Sequence, residues 1–343
     1  MIYIKDTQDP QTIYIDGKGQ AVEKTGTSPL KLDITSNGSY NFNASSEGLK
    51  GYNPVNVNVN VGLKGMVGQP YLVFSFSKWK DETFPSDKVI NLNGARAGDT
   101  AFGDNNCKEI DLTNIGLEEG NYLTVNYGSL FRDAREAVRI SDFNVKFNTD
   151  SGEARWNNFF SGCRKLEEVP HIHFSTTRKF ERWGNQAYSM FWNCVKLKRI
   201  ENLTFDEGMY LSRFNQWIGG DWDDSMGEYP LEYVQAFPCF EIEEQPNIFD
   251  SLPRNNKLTY FGGFTGLKRG YYKQNKVFMN NAQHLSAESI NDIINNLAQG
   301  EKWEESGTYP VISFNTECEA RMSEDLKALA VSKNWTVEFG DRM

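Results

Sequence analysis

Phe160-Ser-Gly-Cys163-Arg-Lys-Leu166-Glu-Glu-Val169-Pro170 and Met190-Phe191-Trp-Asn-Cys194-Val-Lys-Leu197-Lys-Arg-Ile200 decide how the chain reads. With Phe131, Phe160 and Phe191 as position 0, the copies lie 29 and 31 residues apart. Position +3 is then Ala134, Cys163 and Cys194, and position +6 is Ala137, Leu166 and Leu197. Position +9 is Ile140, Val169 and Ile200, and position +14 is Val145, Phe174 and Phe205. Every slot is apolar, the signature of tandem units rather than of one long helix. Apolar residues three apart suit a short helix or 3₁₀ turn facing inward. Leu166 to Ile172 reads as the short strand that follows. A unit this small cannot bury its own apolar edge, so the units must stack. The cysteines share the slot of Ala134 and are expected to be small, unpaired core residues.

Weaker copies flank these units: Phe102 with Cys107 upstream, and Phe264, Leu267 and Phe278 downstream. The stretch around Phe237 and Cys239 is degenerate, and residues 206–235 read as an insertion. Toward the N-terminus, Tyr71 to Phe76 and Val89 to Leu92 are expected strands. Lys31 to Ile34 and Tyr40 to Phe42 alternate on either side of Asn37-Gly38, a hairpin turn signal. Val55-Asn-Val-Asn-Val-Asn-Val61 alternates strictly, as a strand with one buried and one wet face does. Residues 31–62 are therefore expected to form a small three-stranded β module. Ile2 to Ile4 and Ile13 to Ile15, the latter followed by Asp16-Gly17, make residues 1–30 a β arm. An isolated hairpin is marginal in water, so the arm is expected to dock on something else.

Toward the C-terminus, Ser286 is positioned to cap a helix bearing Ile290, Ile293, Ile294 and Leu297 on one face. Tyr309 to Phe314 reads as a strand. Thr316-Glu-Cys-Glu319 reads as a capping box opening a helix with Met322, Leu326, Leu329 and Ala330 on one face. Trp335 to Phe339 closes as a strand. Residues 285–343 thus suit the α/β cap that a stack of repeats needs at its end. The expected fold class is α+β.

The phrases around Phe160 and Phe191 resemble BspA-like (Treponema-type) leucine-rich repeats, written M-F-x-x-C-x-x-L-x-x-I-P. The segment from Leu285 to Thr336 is similar to the terminal part of many such proteins in gut bacteria and their phages. Ile34-Thr-Ser-Asn-Gly-Ser-Tyr40 with Val55 to Val59 resembles a unit common in phage tail and virion proteins. The opening residues resemble N-terminal anchors of virion proteins from phages of gut Bacteroidales. The repeats here are longer than the family's low twenties. The resemblance implies an irregular leucine-rich-repeat solenoid over residues 63–284. It also implies a non-enzymatic structural protein of a phage virion, made in the host bacterial cytoplasm. The N-terminal part would mount it on other virion proteins, in several copies. The repeat domain would be displayed to bind a protein or a host-surface glycan. A glycan-depolymerising spike and a bacterial surface adhesin are the alternatives.

Composition narrows the functions further. The 343 residues carry 46 acidic and 36 basic side chains, a net charge of −10, which disfavours binding to nucleic-acid phosphates. No apolar run approaches a membrane span, and no secretory signal opens the chain. Five cysteines leave no complete disulfide framework. No nucleophile elbow, phosphate loop or zinc-protease motif occurs, and no cofactor is expected. Glu167-Glu168 and Glu243-Glu244 are adjacent acids that would point to opposite faces of a strand. His171 and His173 stand at strand spacing, on a common face. The candidate binding stretch is Arg213 to Tyr229, with Trp217, Trp222 and Tyr229 beside Asp221, Asp223 and Asp224. Aromatic faces beside carboxylates suit a sugar or a protein partner. The same residues would equally cover the flank of the stack, and the three aspartates would suit Ca²⁺ although the EF-hand spacing is missing.

Overall fold

The computed structural model describes eight strands up to residue 97: Ile2–Ile4, Gln11–Gly17, Gln20–Gly26, Leu30–Leu32, Gly38–Ala44, Asn56–Val61, Leu72–Phe74 and Ala95–Ala97. From Thr100 onward it describes all residues except 104–105, 114–121, 126–127, 148–153, 177–184, 223–226, 244–246, 305 and 342–343. Strands are combined with two α-helices, α1 (Ala287–Asn296) and α2 (Glu324–Ser332), and one 3₁₀ helix, Thr316–Arg321. The fold is α+β. Strand pairings before residue 62 are antiparallel, and those between the strands from Leu72 onward are parallel.

Six strands form one parallel ladder in chain order: Leu72–Phe74, Ala95–Ala97, Tyr122–Val125, Phe143–Phe147, Ile172–Thr176 and Leu203–Phe205. Its register places Val145 beside Phe174 and Phe174 beside Phe205, the three residues of slot +14. A shorter ladder joins Arg199–Ile200, Tyr233–Val234 and Tyr260–Phe261. The turn side is laddered as well. The amide of each position-0 residue donates into the next copy: Phe131 to Phe159 O, Phe160 to Met190 O and Phe191 to Trp217 O, at 2.8–3.0 Å. Stacking of equivalent positions is thus directly hydrogen-bonded.

Within each copy, two successive i→i+3 turns carry the apolar triplet. Cys163 N–H donates to Phe160 O at 3.0 Å and Leu166 N–H to Cys163 O at 3.2 Å, and the copies at 131 and 191 repeat this. Slot +2 needs a left-handed backbone, with φ of +61° at Asp133, +80° at Gly162 and +60° at Asn193. Asp, Gly and Asn are the residues that tolerate it best. Phe102, Phe131, Phe160 and Phe191 stack face to face with centroids 5.1, 5.5 and 5.6 Å apart. Fourteen of the fifteen periodic slots are buried, and Phe205, on the last rung of the six-stranded ladder, is half-buried.

All five cysteines are free and buried. Cys163 donates its thiol to Phe131 O at 3.1 Å and Cys194 to Phe160 O at 3.0 Å, each bonding the position-0 residue of the preceding copy. Burial pushes both thiols above their ordinary range.

Several expectations are corrected. The strand of the second copy starts at Ile172, not Leu166. Pro170 has no N–H to give a ladder. Residues 206–235 are not a plain insertion, because Ile218–Gly219 pairs in register with Phe191–Trp192 and opens a further copy. The extra residues fall inside that copy, between Gly219 and the Tyr233–Val234 rung. Phe237 and Cys239, in the degenerate stretch, are fully buried, and Phe237 pairs with Phe264. Val89 to Leu92 lies outside the described residues.

At the N-terminus, Asn37-Gly38 does not join a hairpin of its flanking strands. Leu30–Leu32 pairs with Ile2–Ile4, while Gly38–Ala44 lies between Gln11–Gly17 and Asn56–Val61. The arm and the module therefore share one four-stranded sheet. At the other end, Ser286 caps α1 by accepting the Ser289 amide. The expected single helix after residue 316 is two pieces, capped by Asn315 and Ser323 rather than by Thr316. Lys276–Met279, Val311–Asn315 and Thr336–Gly340 form a closing parallel sheet.

Candidate functional site

The loop singled out from sequence does not present an aromatic platform. Trp217 is fully buried, its indole donating to Ile248 O at 2.5 Å. Its place explains this, since Trp217 precedes position 0 of its copy, the slot filled by buried Phe159 and Met190 in the copies before. Tyr229 is 2% exposed and meets the half-buried Trp222 edge-on at 5.3 Å. Asp221 is exposed, its amide held by Asn193 Oδ1 at 2.8 Å. Asp223 and Asp224 lie outside the described residues.

A groove opens instead where successive copies enter their strands. Its larger part encloses about 790 Å³ and is lined from four copies, by Glu109, Asp111, Arg139, Asp142, Glu168 and His171 among others. A second part of about 390 Å³ shares Asp142, His171 and Asn202 with the first and extends to Asn144, His173 and Thr204. Equivalent slots build it. Slot +8 carries Arg139, Glu168 and Arg199, and strand pairing adds Glu109 before them and Tyr233 and Tyr260 after them. Glu167 and Glu168 are both exposed and both line the groove, because their segment is not a strand. Glu243, of the other acidic pair, is buried against Arg213 at 3.2 Å. Desolvation lifts its carboxyl above the usual range. Glu244 lies outside the described residues.

Side-chain hydrogen bonds between copies hold the backbone of the groove. Asp142 Oδ1 accepts the His171 amide at 2.9 Å, and Ser141 Oγ accepts that of Leu112 at 2.7 Å. Among the described residues, no further strand pairs beyond Leu203–Phe205. The Gln235 side chain takes its place, accepting the Leu203 amide at 3.1 Å and donating to Leu203 O at 2.7 Å. Next to the groove, Arg199 grips Glu201 through two bonds of 2.7 and 2.9 Å and lies 3.9 Å over the Tyr233 ring. The guanidinium holds the Glu201 carboxyl below its ordinary range. Tyr233 stacks on Tyr260 at 4.6 Å, so both its faces are covered and no flat sugar platform remains there. The groove offers carboxylate and amide acceptors around one guanidinium, a set that suits hydroxyl groups or the cationic side chains of a partner.

The chain matches no family model, no curated protein and no solved structure. No helix among the described residues is long and apolar enough to cross a membrane.

Proposed function

We propose that this chain is a structural protein of a phage particle, its N-terminal β part serving as the mount and its repeats as the displayed binding surface. On this reading residues 63–284 are an irregular leucine-rich-repeat solenoid closed by the α/β cap. The carrying observation is the polar groove, which draws equivalent slots from four copies onto one open face. An extended partner, protein or surface glycan, would cross several copies there. The groove replaces the Trp217 loop as the binding surface, since Trp217 and Tyr229 are buried. What favours a particle is the four-stranded antiparallel β part ahead of the parallel repeats, in keeping with the resemblance of the N-terminal arm and the β module to segments of virion proteins.

The test has two arms. A chain lacking residues 1–62 is expected to fold but to be missing from assembled particles, and its normal incorporation would refute the mount. Glu109→Lys with Arg139→Glu reverses charge in the groove. This pair is expected to weaken attachment of the purified protein to host cells at least tenfold with unfolding temperature retained. Unchanged attachment would take the binding surface off the groove.

A further inference from the structure

We infer that Thr204, His173 and Asp206 form an acyl-transfer centre at the end of the groove, with Thr204 the nucleophile toward a carboxylic ester. Thr204 Oγ1 lies 2.9 Å from His173 Nδ1, and His173 Nε2 lies 3.0 Å from Asp206 Oδ1. Hydrogen-bond inventory sets the direction of this chain. An ionised carboxylate only accepts, so Nε2 carries the ring proton and Nδ1 of the neutral ring is the acceptor. The Thr204 hydroxyl therefore donates to Nδ1. Nucleophile, base and orienting carboxylate stand in the order that hydroxyl activation requires.

The sheet holds the parts in place. His173 and Thr204 are direct partners in the parallel register, so their side chains adjoin on one face. Asp206 is fixed by its own amide, which donates to Phe174 O at 3.0 Å, and by Ser175 Oγ, which donates to Oδ2 at 2.7 Å. Asn144 Oδ1 accepts the His173 amide at 3.2 Å, and Tyr122 meets the ring edge-on at 6.4 Å. Thr204 sits on the last rung of the ladder and is exposed, on the wall of the 390 Å³ part of the groove. Its hydroxyl thus borders a space large enough for a small acyl group.

The chemistry balances without a cofactor. Thr204 Oγ1 bonds to the ester carbonyl carbon as its proton passes to His173 Nδ1. The ester C–O bond breaks and the alcohol leaves with that proton. Water then attacks the acyl-threonine, giving its proton to Nδ1, and the acid departs as Thr204 takes the proton back. Thr204 and His173 are catalytic, and Asp206 is a positioning residue acting through the ring.

The experiment uses the full chain with p-nitrophenyl acetate and a fluorophosphonate probe. One equivalent of phosphonate is expected on the peptide containing Thr204. Thr204→Val, which keeps the β-branched shape, and His173→Gln are each expected to slow p-nitrophenol release at least about 100-fold. Thr204→Ser is expected to stay within about tenfold, so the test survives if the valine variant fails to fold. Asp206→Asn is expected to lower kcat about tenfold with KM unchanged, because the ring loses the acceptor that fixes its tautomer, and Asp206→Glu to restore most of it. Absence of label, label on another residue, or an unchanged rate in a folded Thr204→Val would overturn the proposal. Glu109→Lys with Arg139→Glu touches neither the three residues nor the 390 Å³ part of the groove, so loss of attachment in that pair and loss of hydrolysis in Thr204→Val report on separate readings.

Discussion

Slot +3 shows how much one side chain adds. A cysteine there fills nearly the volume of Ala134 and also donates to the carbonyl of the copy behind it, so Cys163 and Cys194 tie neighbouring units as alanine cannot. The apolar character of the slot was legible from spacing alone, but the thiol donor was not, since its acceptor is more than thirty residues away. The core position of Trp217 is hidden from the sequence for a related reason. Its neighbours Gly219, Gly220 and Asp221 have the composition of a loop, and only the pairing of Ile218 with Phe191 reveals that it occupies a core slot. Trp217→Ala is accordingly expected to destabilise the fold by about 3–5 kcal/mol, measured by denaturant unfolding. Burial also lifts the Asp250 carboxyl above its ordinary range, against the Gln216 amide that donates to it at 3.2 Å. A carboxylate whose folded pKa exceeds its unfolded value stabilises below the unfolded pKa and loses that contribution as pH rises through the folded one. Asp250→Asn should therefore flatten the fall in unfolding temperature as pH climbs from about 4 toward neutrality. An unchanged slope would exclude Asp250 as its source.

Elements were legible where the signal is local. The Ser286 cap and the Ile290, Ile293, Ile294 face of α1 are set within one turn of chain, and both hold. Ser286→Ala is expected to cost about 1 kcal/mol, read from the midpoint of chemical unfolding, because the Ser289 amide loses its acceptor. Elements whose partner is distant were placed less well. Nothing near Asn37-Gly38 reveals that Leu30–Leu32 pairs with Ile2–Ile4 instead of across that turn. Likewise, Leu166 to Ile172 has the alternation of a strand, yet the ladder takes up only its last residue. The groove is not legible in the sequence because its polar residues come in threes from successive copies about 30 residues apart, and each set reads singly as solvated charge. The Thr204 centre was missed because His173 and Thr204 fill the same slot, +13, in two different copies. A comparison of polar residues slot by slot would have exposed it.

For the molecule as a whole, the repeat step of about 30 residues makes every apolar slot a contact between copies, so stability is shared along the stack and not concentrated in one unit. The two ends of such a stack need different treatment. The C-terminal end is finished by α1, α2 and a parallel sheet of its own. Among the described residues the six-stranded ladder has no such finish at Leu203–Phe205, and a single amide, Gln235, satisfies the outward N–H and C=O of Leu203. An unpaired strand edge is a template on which other chains add as strands. On that principle Gln235, which occupies both outward groups of Leu203, is expected to guard this edge against self-association. Gln235→Ala is expected to leave the monomer's circular dichroism close to native while raising the rate of thioflavin-positive aggregation several-fold at high concentration. If the proposed display on a particle holds, with many copies at close quarters, one glutamine side chain would separate orderly display from fibre formation.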